Sequence, residues 1–116
     1  MIKTIICDID GTILIQEGNC YGQLTSEPQL TEGALEKVYE WEMLNYNIIL
    51  ITGRKESTRK ITEQQLESLG IVFDQLIMGV GGGPRVLIND LKPNKSIEMA
   101  TAFNILRNKG LKNVKT

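Results

Sequence analysis

Two aspartates, Asp8 and Asp10, stand one residue apart in the stretch ICDIDGT at residues 6–12. They directly follow a β-branched apolar run and directly precede a Gly-Thr turn. Such a run predicts a central β-strand that is buried on both faces. Parallel sheets bind ligands outside the carboxyl ends of their strands. We therefore expect both carboxylates to stand just beyond the core, at the opening of a site.

Two more polar side chains follow apolar runs in the same way. Thr52 ends the run 48–51, and Asp90 follows the run 86–88 after Asn89. Helix-like segments separate these runs, and this alternation predicts a parallel sheet. The carboxyl ends of its strands would bring Asp8, Asp10, Thr52 and Asp90 to one edge.

Three carboxylates at one edge would repel each other strongly unless a cation lies among them. Hard oxygen ligands without Cys or His suit Mg²⁺. Thr52 and the backbone N–H groups of nearby turns could hold phosphate oxygens, and a carboxylate beside them could attack phosphorus. The chain has no histidine, which excludes Ser-His-Asp and Cys-His catalysis and His-ligated metal sites.

These motifs resemble those of the haloacid dehalogenase (HAD) superfamily, most of whose members are Mg²⁺-dependent phosphohydrolases. The run DIDGT at 8–12 matches the superfamily's first motif, and ITGR at 51–54 matches its second. The acidic fourth motif corresponds to IND at 88–90, where Asn89 replaces the first acid of a frequent pair. The matches span residues 2–90, which is most of the chain.

The resemblance implies a role for each matched residue. Asp8 would be the nucleophile that becomes phosphorylated, and Asp10 would protonate the leaving oxygen and then activate water. Asp8, the Asp10 backbone carbonyl and Asp90 would bind Mg²⁺, while Thr52 would hydrogen-bond the phosphoryl group. The remaining substrate contacts would come from four residues: Thr12, Gly53, Arg54 and Lys92.

The third motif, a Lys or Arg that neutralises the phosphorylated aspartate, has no direct match. The corresponding region is a glycine-rich loop at 79–83 without a Lys. Arg85 directly follows this loop and is our preferred candidate, with Lys92 and Arg54 as alternatives. An ordinary surface arginine at a strand start is the competing interpretation of Arg85.

The rest of the chain predicts the frame around this site. Strands are expected at 2–7, 48–51, 76–78 and 86–88, and helices at 32–45, 56–69 and 96–109. Thr31 is the expected N-cap of the first helix, and Gly70 is expected to end the second. Ile61, Leu66 and Leu69 are expected to face inward. The segment 13–30 fits a hairpin or flap better than a helix.

The expected fold is a single α/β domain over 1–116, a Rossmann-like, HAD-like parallel sheet with helices on both faces. Neither gap between motifs leaves room for a cap domain, so the chain resembles capless members of the superfamily. A capless site suits a large substrate or closure by a second subunit. Bulky Trp41 and Met43 on the first helix favour a homo-oligomer if the substrate is small.

Composition narrows the function classes. The chain has 116 residues and a formal net charge of −1, so no nucleic-acid footprint is expected. No signal peptide or membrane span is predicted, and Cys7 and Cys20 form no C-x-x-C pair, so we expect a cytoplasmic protein with free thiols.

The sequence therefore predicts a Mg²⁺-dependent phosphatase acting through an aspartyl-phosphate, with a sugar phosphate or related small metabolite as substrate. Two alternatives stay open. One is a phosphatase of a protein or nucleic-acid substrate. The other is a phosphate-binding or regulatory module without turnover, suggested by Asn89 and the missing third-motif Lys.

Overall fold

The computed structural model describes residues 1–93 and 98–116, and its elements alternate as an α/β chain. In chain order they are β1 (Thr4–Asp8), α1 (Cys20–Thr25), α2 (Ala34–Met43), β2 (Asn47–Ile51), α3 (Arg59–Ser68) and β3 (Gln75–Ile77). A short 3₁₀ turn, Glu56–Thr58, leads into α3. The first three predicted strands are confirmed to within about two residues at each end.

The three strands form one parallel sheet in the order β1-β2-β3. Thr4 pairs with Asn47 and Asp8 with Ile51, so the first two strands end level with each other. β3 pairs with the other side of β2. This register places the residues that follow β1 and β2 side by side at the carboxyl edge, as the sequence predicts.

One face of the sheet is buried under both long helices. Cys7, Leu50 and Leu76 occupy one register row and are all buried. They join a single apolar cluster with Trp41 of α2 and Leu66 of α3. Because α2 and α3 contribute to the same cluster, they pack against this same face.

The opposite face of the sheet is open. Ile6 of β1 is 51% exposed and Ile77 of β3 is 45% exposed. The predictions that β1 is buried on both faces and that helices cover both faces are therefore wrong for the part of the chain that the structure describes. The β-branched run at 2–7 could not reveal this, because strand composition does not show whether a helix covers the second face.

The predicted fourth strand at 86–88 does not form. Val86, Leu87 and Ile88 are 83%, 61% and 89% exposed and pair with no strand in the described residues. A strand exists only through its ladder partners, so apolar composition alone was insufficient here. The free side of β1, the edge strand, is left unpaired by the strands of the described chain.

The predicted helix at 96–109 is also wrong where the structure describes it, since residues 98–109 contain no helix; its start lies outside the described residues. Asn108 adopts a left-handed φ of 64°, and its backbone N–H donates to the Gly11 carbonyl at 2.8 Å. Its side chain accepts from the Gln16 backbone N–H at 2.8 Å. These tertiary contacts override the local helix propensity.

Of three local predictions in the helical segments, two are wrong and one is confirmed. The Thr31 hydroxyl donates to the Thr12 carbonyl at 2.6 Å instead of capping α2, which begins after Gly33. Ile61 is 39% exposed, while its neighbour Thr62 is fully buried and faces inward. Gly70, with φ of 78°, follows α3 as expected.

Trp41 and the two cysteines also bear on the predictions. Trp41 is 1% exposed in the core, where its indole N–H donates to the Thr116 hydroxyl at 2.8 Å, so it offers no surface to a second subunit. Both cysteines are free, and burial, with a smaller contribution from the neighbouring Asp8 charge, raises the pKa of the Cys7 thiol to about 12. No helix in the described residues has the length and hydropathy of a membrane span.

Candidate active site

Asp8 ends β1 with its carboxylate only part-buried. The Thr12 hydroxyl donates to Oδ2 at 3.4 Å, and Nη2 of Arg85 lies 3.7 Å from Oδ1. Burial raises the pKa of Asp8 above its ordinary value and the Asp10 charge adds to this, while Arg85, the Ile9 backbone N–H and Thr12 act in the opposite direction. Asp8 is therefore an accessible carboxylate that is costly to ionise and faces a cation.

Asp10 lies in the opposite environment, because its carboxylate is held by three donors. Arg54 Nε donates to Oδ2 and Arg54 Nη2 to Oδ1, both at 2.8 Å. Gln23 Nε2 donates to Oδ1, also at 2.8 Å. The side chain is 18% exposed, so these strong charge-assisted bonds fix it in one orientation.

Arg54, whose side chain holds the Asp10 carboxylate, is buried. Its side chain is 5% exposed, and Nη1 donates to Thr62 at 2.9 Å and to Gln65 at 2.8 Å. Four of the five guanidinium N–H groups are thereby used. The sequence predicted that Arg54 binds substrate. In the structure its guanidinium group is buried and positions Asp10 instead. The signal in the sequence was Thr62 and Gln65, which are polar residues on the inward face of α3.

Thr52 lies level with the end of β1, because Asp8 pairs with the preceding residue, Ile51. It is 1% exposed, and its hydroxyl accepts from the Arg54 backbone N–H at 3.1 Å. Its own backbone N–H donates to the Ile77 carbonyl at 3.0 Å. Thr52 is thus at the predicted edge, but as a buried turn residue rather than an exposed hydroxyl.

The glycine loop at 79–83 runs directly over this strand end. The backbone N–H groups of Gly79 and Val80 donate to the carbonyls of Arg54 and Thr52 at 2.7 and 2.9 Å. A Cβ on Gly53 would lie 3.4 Å from the Gly81 carbonyl oxygen, at ordinary van der Waals distance, so the loop backbone runs close beside this turn. The path of the glycine loop over the strand end brings Arg85, which follows the loop, next to Asp8.

The segment 13–30 is a hairpin that carries a helix. Leu14 and Leu30 form an antiparallel bridge at its base, and Ile13 and Leu14 are buried. The six-residue helix α1 within it was not predicted. Asn19 caps this helix by accepting from the Gly22 backbone N–H at 2.8 Å. Sequence reasoning also missed Gln23, which carries no motif signal but reaches Asp10 from this helix.

Asp90 is not brought to Asp8 and Asp10. Its side chain is 68% exposed and pairs at 3.8 Å with Lys92. Within residues 1–93 and 98–116, no three Asp, Glu, Cys or His side chains converge as a metal-binding group. The predicted edge is therefore assembled from Asp8, Asp10, Thr52 and Arg85, while Asp90 and Lys92 lie apart from it.

A comparison with protein-family models shows which family this chain belongs to. The family model described as the LNS2 domain of PITM 1-3 matches residues 5–103, most of the chain. The chain belongs to the LNS2 domain family. LNS2 domains have a HAD-like phosphatase fold, so the superfamily expected from the first and second motifs is confirmed at this level.

Two solved structures are similar to this chain in fold. "Structure of Pnkp1/Rnl/Hen1 complex" matches with a TM-score of 0.60 and 29% identity over 72% of this chain. "Structure of the Pnkp1/Rnl/Hen1 RNA repair complex" matches with a TM-score of 0.59 and 26% identity over 81%. The LNS2 chain spans only 30% and 28% of those two chains. No protein with a curated description matches it.

Proposed function

We propose that the chain is a phosphoric monoester hydrolase of the capless HAD type that acts through an aspartyl-phosphate on Asp8. The observation that carries this proposal is the contrast between two neighbouring carboxylates. Asp8 is accessible, costly to ionise and faces Arg85, whereas Asp10 is fixed by Arg54 and Gln23. Two carboxylates in such different environments suit different roles, a nucleophile and a general acid–base.

The covalent cycle uses these two side chains in order. An oxygen of ionised Asp8 forms a bond to phosphorus as the bond to the leaving oxygen breaks, and Asp10 gives that oxygen its proton. In the second half, Asp10 takes a proton from water while the water attacks phosphorus. This breaks the phosphorus–oxygen bond to Asp8 and releases inorganic phosphate with both carboxylates restored.

We also propose Mg²⁺ as the cofactor. The Asp8 carboxylate and the Asp10 backbone carbonyl are hard oxygen donors, and Mg²⁺ in enzymes takes one or two carboxylates together with waters and substrate phosphate. This donor pair therefore fits the ion without Asp90 in its present position. When bound, Mg²⁺ would neutralise charge on the phosphoryl group.

Phosphate release measured with and without Mg²⁺ tests the function directly. A panel of phosphorylated metabolites should show release that requires the ion and stops when excess chelator is added. Undiminished release in excess chelator would contradict the cofactor. The absence of release from every substrate, with the fold intact, would favour the regulatory module without turnover.

The substrate is proposed to be a sugar phosphate or a related small metabolite. The formal net charge of −1 gives no general attraction for nucleic acid. The similar structures from an RNA repair complex favour a second candidate, a phosphorylated RNA end. The same panel should therefore include RNA oligomers with a terminal phosphate beside the sugar phosphates, and the larger kcat/KM identifies the class.

Arg85 is proposed as the third-motif cation because it lies beside Asp8, whereas Lys92 pairs with Asp90. Arg85→Ala should lower kcat by about 10- to 100-fold, since it removes a cation beside the developing phosphoryl charge. Lys92→Ala, a matched change of an exposed cation, should leave kcat within about twofold. Steady-state kinetics of both variants checks this, and a kcat loss confined to Lys92→Ala would contradict the assignment.

A further inference from the structure

Asp10 belongs to a closed ring of hydrogen bonds that ties the flap to α3. Arg54 bridges Asp10 to the Gln65 amide oxygen, and Gln65 Nε2 donates to the flap carbonyls of Gln23 and Leu24 at 3.0 and 3.3 Å. The Gln23 side chain closes the ring by donating to Asp10. The orientation of the candidate acid–base thus depends on where the flap lies.

The orientation of the Gln23 amide is fixed by the chemistry of its partners. The Glu17 backbone N–H can only donate, so the group that it meets at 2.9 Å must be the Gln23 oxygen. Gln23 Nε2 then donates both to the Ile15 carbonyl at 2.9 Å and to Asp10 at 2.8 Å. Every polar group of this side chain is used, and a rotated amide would lose all three bonds.

The two oxygens of Asp10 are occupied unequally as a result. Oδ1 accepts from both Gln23 and Arg54, whereas Oδ2 accepts from Arg54 Nε alone. A proton placed on Oδ1 would displace one of its two donors. The oxygen with spare acceptor capacity, Oδ2, is the one that can take up and give back a proton without breaking this geometry.

We propose that Gln23 is a positioning residue: by occupying Oδ1 from the flap, it confines the transferred proton to Oδ2 of Asp10. This deepens the proposed function and rests on the assignment of Asp10 as the acid–base. Gln23 bonds to the Glu17 and Ile15 backbone of the flap and also orients the Asp10 carboxylate. The position of the flap is therefore coupled to proton transfer by Asp10.

Leaving-group dependence separates this role from a merely structural one. Gln23→Met keeps the length of the side chain without its polar atoms. It should lower kcat/KM, which reports only the steps up to phosphorylation of Asp8, about tenfold on an alkyl phosphate, whose poor leaving oxygen needs the proton. On p-nitrophenyl phosphate, whose leaving group departs without one, the loss should stay within about twofold. Gln29→Met, the same change at an exposed flap position, should alter neither rate.

An equal loss on both substrates, or none on the alkyl phosphate, would overturn the proposal. A second measurement does not depend on turnover. In urea unfolding followed by Trp41 fluorescence, the effects of Gln23→Met and Asp10→Ala should be non-additive in the double variant, because each change alone removes the hydrogen bond that the two residues share. Additive effects would also overturn the proposal. Non-additive effects without any phosphate release would instead refute the proposed function and leave the contact established.

Discussion

Asp8→Asn should abolish phosphate release, lowering kcat by roughly 10⁴-fold or more, because an amide cannot attack phosphorus. The fold should survive, since the Asp8 carboxylate is 37% exposed and the replacement has nearly the same shape. Steady-state phosphate release measures the loss, and retention of near-normal turnover would show that Asp8 is not the nucleophile.

The same variant should be more stable than the parent protein at neutral pH. Burial is the main cause of the raised pKa of Asp8, so ionisation is harder in the folded chain than in the unfolded one. Its contribution to stability is therefore complete below pH 3.8, the ordinary value, and is lost as the pH rises through the raised pKa. Asparagine cannot ionise and avoids this loss.

Thermal unfolding at several pH values checks the sign of this effect. Asp8→Asn should melt above the parent protein at pH 7, and the difference should vanish below pH 3.8. Asp74→Asn is the matched control, because Asp74 accepts from the Ile48 backbone N–H at the amino end of the sheet. It should keep full activity. A lower melting temperature for Asp8→Asn at pH 7 would contradict the dominance of burial.

Arg54→Met should lower the free energy of unfolding by about 3 kcal/mol, at the lower end of the range for breaking a buried ion pair, since Asp10 keeps Gln23 as a donor. The change leaves the Asp10 carboxylate poorly paired and removes the hydrogen-bond partner of Thr62 and Gln65. Trp41, the only tryptophan, is in the core, so its fluorescence follows urea unfolding.

Arg59→Met is the matched control for this prediction. Arg59 forms ion pairs with Glu56 and Glu63 in solvent-exposed positions, so its loss should destabilise the fold less than the loss of Arg54. Adding Asp10→Asn to Arg54→Met should recover part of the lost stability, because the uncompensated charge disappears. Equal effects of the two arginine changes would show that the Arg54 pair is not stabilising.

The sequence was sufficient for the first two strands, the turns after them and the end of α3, because local signals and tertiary structure agree there. The apolar runs at 2–7 and 48–51 form paired strands, and the turns after them place Asp8, Asp10 and Thr52 at one edge. Gly70 ends α3 through a left-handed φ, a requirement that is visible in the residue type. Each of these features has a signal in a short local stretch of sequence, either an apolar run or a turn residue.

The rest of the site depends on contacts that no local pattern encodes. The sequence predicted Arg54 as a substrate contact, whereas in the structure Asp10, Thr62 and Gln65 surround its guanidinium group. Gln23 contributes through a short helix inside a flap. The segment 86–88 has the composition of a strand, but a strand also requires a partner, and composition does not supply one.

The edge of β1 that pairs with no strand in residues 1–93 and 98–116 has a consequence for the behaviour of the protein at high concentration. An edge strand with free N–H and C=O groups invites pairing between molecules, and the exposed apolar segment 86–88 is a ready partner for it. A formal net charge of −1 supplies little electrostatic repulsion between molecules. We therefore expect pairing at this edge to limit the solubility of the protein. Leu87→Lys should raise the solubility without changing the candidate active site.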